Sequence, residues 1–222
     1  MTRESKSGKK ARKRPVEIEL KFRVDDAAAG AALLETERFG SLAAETEPAR
    51  EVLMADRYLD TADGALTHAG YAVRLRALDA GTLVSVKSLT RVAAAGGASR
   101  TLVMEHAGDA PLEELVTIRQ RRRKRLYASD AATVELSLDD IEVVADGEVV
   151  DRFTELEAEL MAGDEAALAV IAAVLDGTPG LRRATSSKLD TALAAIDASR
   201  PTVAPEEDAG AGEVSVMVDG AA

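Results

Sequence analysis

Glu17, Glu19 and Lys21 are spaced two residues apart near the start of the chain, and the same spacing recurs in Glu155, Glu157 and Glu159. Side chains two apart on an extended strand share a face, so each set projects its charges together. Cations repeat the pattern at Arg74 and Arg76, at Lys87 beside Ser85, and through the run Arg119–Arg125, with Asp139 two residues on from Ser137 and four from Glu135. The residues between them are mostly apolar: Ile18, Leu20, Val73, Leu75, Val84, Val86, Leu136, Leu138, Leu156, Ala158 and Leu160. The charges are also sorted by sign. Closely spaced carboxylates suit a hard divalent cation such as Mg²⁺ or Mn²⁺, which takes oxygen ligands. Several Arg and Lys suit a polyanion, Arg gripping oxygens through two N–H groups and Lys acting as a point charge. Together they fit a compound carrying a chain of phosphates, a divalent ion on one wall and cations on the other.

An ordinary sheet, apolar toward its core and charged toward water, gives the same alternation. The sorting of signs favours a sheet curled with its charges inward. About eight strands are expected, over 16–24, 50–60, 71–78, 82–89, 99–106, 117–127, 132–143 and 148–161, from period-two alternation. Asp63-Gly64, Asp79-Ala80-Gly81 and Asp146-Gly147 are turn formers between them, which implies antiparallel pairing. Three helices are expected: after Asp25-Asp26 to about residue 38, from Asp164 to about 175, and from Ser187 to about 198. Each opens on a residue able to accept from the free N–H groups of a first turn. The fold class is α+β, mainly β: an eight-stranded antiparallel barrel with flanking helices.

The 222 residues bound this to one sizeable core. No cysteine is present, which excludes disulfides and thiolate metal sites and suits a reducing compartment. No apolar run reaches the roughly 20 residues of a spanning helix, so a cytoplasmic protein is expected, with no membrane partner. The net charge is -11, yet residues 1–15 hold seven Lys or Arg against one Glu. That stretch reads as a solvated basic tail; it lacks the aromatics that stacking on bases would use, and nucleic acid is not the expected partner. Residues 201–222 contain no Lys or Arg and read as an acidic tail, leaving 16–200 as the folded domain.

Taken in order, several segments resemble one family. Glu17-Ile18-Glu19-Leu20-Lys21 is similar to the ExExK signature of the CYTH (triphosphate tunnel) superfamily. Tyr58-Leu59-Asp60-Thr61, Tyr71-Ala72-Val73-Arg74-Leu75-Arg76, Val86-Lys87, Leu138-Asp139, Phe153 to Leu160 and Ser187-Lys188-Leu189 resemble its later strands and its closing lysine. The resemblance implies metal-dependent hydrolysis of a triphosphate-bearing compound, whether inorganic tripolyphosphate, a nucleoside triphosphate or thiamine triphosphate, inside the tunnel. Glu17 and Glu19 would be metal ligands, with Glu155, Glu157, Glu159 and Asp139 on the same ion or ions. Lys21, Arg74, Arg76, Lys87 and Lys188 would bind phosphates, and Glu105 matches a family acid after the fourth strand. Glu17, Glu19 and Lys21 are the expected catalytic set.

The Arg119–Arg125 run leaves its register open. With Ile118 outward, Arg119, Arg121 and Arg123 are the expected inward, phosphate-binding residues, whereas counting back from Tyr127 would choose Arg122 and Lys124; a one-residue slip exchanges the faces. Leu189 stands where many relatives place Tyr. Class IV adenylyl cyclisation and non-catalytic binding of polyphosphate or nucleotide are the alternative functions, and a homodimer stays open as an assembly state.

Overall fold

The computed structural model describes residues 18–78, 81–89 and 99–199. Ten strands form one antiparallel sheet, with five helices among the described residues. The strands are β1 (Glu19–Val24), β2 (Arg38–Phe39), β3 (Leu42–Ala44), β4 (Arg50–Asp60), β5 (Tyr71–Leu78), β6 (Gly81–Ser88), β7 (Glu113–Ala128), β8 (Ala132–Ala145), β9 (Glu148–Gly163) and β10 (Leu181–Arg183). The helices are α1 (Ala27–Leu34), α2 (Ala65–His68), α3 (Ser99–Ala107), α4 (Ala166–Asp176) and α5 (Lys188–Ser199).

Eight strands follow one path, β10-β1-β9-β8-β7-β4-β5-β6, and the β2–β3 hairpin attaches to β7. No hydrogen-bonded pairing joins the edge strands β10 and β6 among the described residues. The three longest strands, β7, β8 and β9, form a central meander. Asp146 and Gly147 both take positive φ, 51° and 83°, between β8 and β9, as a two-residue hairpin turn of matching twist requires.

Two apolar layers hold the sheet. On its outer face Phe22 and Val24 of β1, Val134, Leu136 and Leu138 of β8 and Leu156 and Ala158 of β9 pack with Leu33 and Leu34 of α1 and Leu168, Ile171 and Leu175 of α4. The last three recur at helical spacing, which is why α4 lays one stripe on the sheet. Gly30 lets α1 lie close, because a Cβ there would stand 3.0 Å from Val24 and 3.1 Å from Leu138. On the inner face Tyr58, Ala72, Val116, Ile118, Ile141 and Val143 pack with Leu189 and Ala192 of α5. The inner face is therefore charged over part of its length and apolar where α5 covers it.

One expected element has the wrong type. Residues 99–106 alternate well enough to suggest a strand, but Ser99–Ala107 is helix α3. Val103 and Ala107, four apart, share a small cluster with Leu66 of α2, and that spacing is helical. The helix starts are close to expectation: Asp26 caps α1 by accepting from Ala28 and Ala29 at 2.9 and 3.3 Å, while Asp25 pairs with Arg182 instead. The tails 1–15 and 201–222 lie outside the described residues.

Candidate functional site

Antiparallel register places the inward side chains in rows. Glu19 on β1 is opposite Glu159 on β9, which is opposite Glu135 on β8. The next row runs Lys21, Glu157, Ser137, Lys124, and the next Arg23, Glu155, Asp139, Arg122. Across β4 and β5, Asp56 is opposite Arg76 and Tyr58 opposite Arg74. These rows bound one cavity of about 420 Å³, with Glu19, Lys21, Glu157 and Glu159 on one wall and Asp56, Tyr58, Arg74, Arg76, Gln120 and Arg122 facing them. Ser187, with Lys188, Leu189 and Asp190 of α5, completes it.

The start of α5 is fixed by a reciprocal cap. Ser187 Oγ accepts from Asp190 N at 3.1 Å, and an Asp190 carboxylate oxygen accepts from Ser187 N at 3.0 Å. Leu189 then buries in the inner apolar layer, which aims Lys188 into the cavity. A cation at a helix N-terminus opposes the helix dipole, and three carboxylates offset that. Lys188 Nζ lies 2.7 Å from Asp139, 2.8 Å from Glu157 and 3.3 Å from Glu155.

Arg122 donates to both Asp139 oxygens, at 2.7 Å from Nε and 2.6 Å from Nη2, and Nη2 also reaches Glu157 at 2.6 Å. Lys21 Nζ sits between Glu19 at 3.0 Å and Glu157 at 3.1 Å. Burial works against the Glu157 anion, but Lys188, Lys21 and Arg122 outweigh it and hold its carboxyl far below the usual range. Burial likewise opposes charge on Lys21, Arg122 and Lys188; their carboxylate partners outweigh it and raise all three. Glu155 goes the other way. It is fully buried, neither carboxyl oxygen accepts a hydrogen bond, and burial pushes it up against the pull of Lys188.

The expected residues fare differently. Glu19, Lys21, Arg74, Arg76, Glu157, Glu159 and Lys188 line the one cavity, and Asp139 and Glu155 lie buried beneath Lys188. Glu17 lies outside the described residues. Lys87 is opposite Ala72 in the β5–β6 ladder, and its side chain is not among those described. Glu105 lies on α3, the element that follows β6, where it is exposed and absent from the cavity wall.

The inward orientation of Arg119, Arg121 and Arg123 is corrected. They stand on the outer face, 3.9 Å from Glu142, 2.7 Å from Glu51 and 3.6 Å from Asp140 respectively. Gln120, Arg122 and Lys124 take the inner face, Lys124 pairing with Glu135 at 2.7 Å. The reason is Ile118, 1% exposed within the inner apolar layer, whereas Tyr127 turns outward and donates its hydroxyl to the Leu33 and Leu34 carbonyls at 3.2 Å.

Asp56, Gln120 and Glu135 carried no functional expectation. Asp56 shares its face with Tyr58, two residues on, and its inward parity was available from the sequence.

A divalent ion can be tested against this donor set. Among the described residues no three carboxylates converge closely enough to hold one as the side chains stand. Directly opposed residues nevertheless have Cβ atoms about 4.5–5.5 Å apart, so Glu19 and Glu159 stand side by side on the cavity wall, with Glu135 one strand further on and paired with Lys124. Lys21 bridges the carboxylates beside it, and the Glu155 oxygens lack hydrogen-bond donors. Both are features that a hard cation suits.

The profile of the CYTH domain family matches residues 15–192. Among solved structures, a candidate adenylyl cyclase from Hippeastrum, described as revealing a dominant triphosphatase activity, is similar at 17% identity and TM-score 0.53, over 81% of this chain and 96% of that one. At that identity the likeness concerns the fold. A protein from Pyrococcus horikoshii (13% identity, TM-score 0.44, 80% and 99% covered) and a candidate adenylate cyclase from Bacillus halodurans (17%, 0.43, 79% and 96%) are also similar. No curated protein matches the chain.

Proposed function

The chain belongs to the CYTH domain family, and from that premise we propose that it is a divalent-metal-dependent triphosphatase acting on a compound held in the cavity between β1, β9, β7, β5 and α5. The observation that supports this most is the division of that one cavity into a carboxylate wall on β1 and β9 and a cationic wall on β5 and β7, with Lys188 between them.

In this reading Arg74, Arg76, Arg122, Lys21 and Lys188 take the non-bridging phosphate oxygens. Glu19, Glu157 and Glu159 would hold Mg²⁺ or Mn²⁺, with Asp139 and Glu155 behind them. Such an ion would supply polarisation of the phosphoryl group and a lowered pKa for water. Hydrolysis breaks one phosphoanhydride P–O bond, whose bridging oxygen departs with the remaining phosphate chain; the oxygen of water bonds to phosphorus, and a proton of that water leaves to solvent. The residues of the chain contribute by position and charge. The cations are already partly desolvated and held in place by their carboxylate partners, so they lose little further water or freedom when they meet phosphate oxygens. Charge building on the transferred phosphoryl group then meets donors already in place.

Release of phosphate from tripolyphosphate, ATP and thiamine triphosphate, with Mg²⁺ or Mn²⁺, tests the proposal in wild type and in Glu19→Ala. Metal-dependent release that falls by several powers of ten in the variant is expected, about 3 to 5 kcal/mol in the barrier. Pyrophosphate and a cyclic nucleotide from ATP would replace hydrolysis by cyclisation. Tight binding without turnover would leave a binding module.

A further inference from the structure

Asp56 is the acid that the phosphate-binding wall does not account for. It is 2% exposed on β4, yet it lies among cations meant for an anion. Its carboxylate joins three strands. Arg76 of β5 donates to Oδ1 from Nε at 2.6 Å and to Oδ2 from Nη2 at 2.5 Å; Gln120 of β7 donates to Oδ2 at 3.3 Å, and Arg74 Nη1 approaches the same oxygen at 3.5 Å.

A guanidinium is a rigid fork of five N–H donors. The two-edged contact with Asp56 uses the Nε and Nη2 side of Arg76, which leaves the N–H groups of Nη1 and the second of Nη2. Arg74 is held on its other flank, where Nε donates to Ser85 at 3.2 Å. Both side chains keep some exposure to the cavity, 22% for Arg76 and 13% for Arg74. An acid placed here weakens the attraction of this wall for anions, so attraction alone does not explain it. Orientation does: a long side chain already fixed has less freedom to lose when it grips a ligand.

We propose that Asp56 is a positioning residue, which locks Arg76 and, through a shared oxygen, Arg74 with their remaining N–H groups toward the oxygens of a bound triphosphate. The inference rests on the triphosphatase reading of the same cavity.

Kinetics of tripolyphosphate hydrolysis with Mg²⁺, together with calorimetric titration of tripolyphosphate without metal, separate the two. Asp56→Asn is expected to raise KM about 10- to 100-fold, with kcat changed far less, and to weaken binding in parallel. In an Arg76→Ala background the same substitution should add little, because its effect passes through Arg76. Asp56→Glu keeps the charge but shifts the fork, and serves if the Asn variant does not fold; it should raise KM as well. Wild-type KM in Asp56→Glu or Asp56→Asn, or effects of Asp56→Asn and Arg76→Ala that multiply, would overturn the inference while leaving the triphosphatase intact. A wild-type protein that neither binds nor hydrolyses tripolyphosphate would overturn both.

Discussion

Replacing Lys188 by Met removes one charge while keeping a flexible side chain of similar length in the same place. The ammonium touches Asp139, Glu155 and Glu157, and its side chain is only 13% exposed. Arg122 and Lys21 still compensate Asp139 and Glu157, but among the described residues Glu155 is ion-paired with Lys188 alone, and its oxygens receive no hydrogen bond. Breaking a buried pair from one side costs about 3 to 5 kcal/mol, because the remaining charge is left out of water. For a chain of this size that corresponds to a fall in Tm of roughly 6 to 20 °C. The measurement is thermal unfolding by circular dichroism in EDTA, so that no added ion takes the place of the ammonium. The loss should be largest near pH 8 and shrink toward pH 5, since carboxylates left without Lys188 are more easily protonated in the folded state than in the unfolded one. Equal stability of wild type and Lys188→Met at pH 8, or a loss that grows as pH falls, would refute the reasoning.

Three further outcomes are expected. Arg122→Ala should lower phosphate release at least about 100-fold, because Arg122 supports Asp139 and Glu157 at the cavity, while Arg121→Ala on the outer face should stay within a few-fold; equal losses would contradict the assigned register. Glu157, held below its ordinary value, contributes stability that is present above about pH 4.3 and is lost as pH falls through its folded value. Acid denaturation monitored by circular dichroism should therefore show a shallower loss of stability below pH 4.3 in Glu157→Gln, from a lower starting stability. Gly163→Ala places a Cβ 2.1 Å from the Ala131 carbonyl at φ +94°, and chemical denaturation should show a loss of at least about 2 kcal/mol.

The strands that were plainest in the sequence keep one character from end to end. β4 and β5 run over the residues expected, and β1 and β9 present their acids to one cavity because Phe22, Leu156 and Ala158 take the opposite face. The Arg119–Arg125 stretch had no such marker, since every residue in it is polar. Choosing an outward Ile118 assumed an inner face charged throughout, whereas α5 lines part of that face with Leu189 and so draws Ile118 in. Asp56 is hard to read from the sequence for a related reason: its partners Arg76 and Gln120 lie on other strands, so its value as a hub depends on pairing that one segment cannot display. For α3, Val103 and Ala107 were available at helical spacing, and the competing period-two pattern hid them.

The pairing of β1 with β9 has a consequence for how the protein is made. Lys21 and Glu157, bonded to each other, are 136 residues apart in sequence. On a ribosome the first strand emerges long before its partner, and Lys188, later still, brings the cation that Glu155 needs. Loop closure over that span is costly in entropy and is recovered only when the ladder forms, so a fold of such high contact order is slow to complete. β7, β8 and β9, joined by short turns, can assemble locally and wait. The acids of β9 meet their cationic partners only when β1 and α5 reach the meander, so the chamber depends on contacts that span most of the described chain.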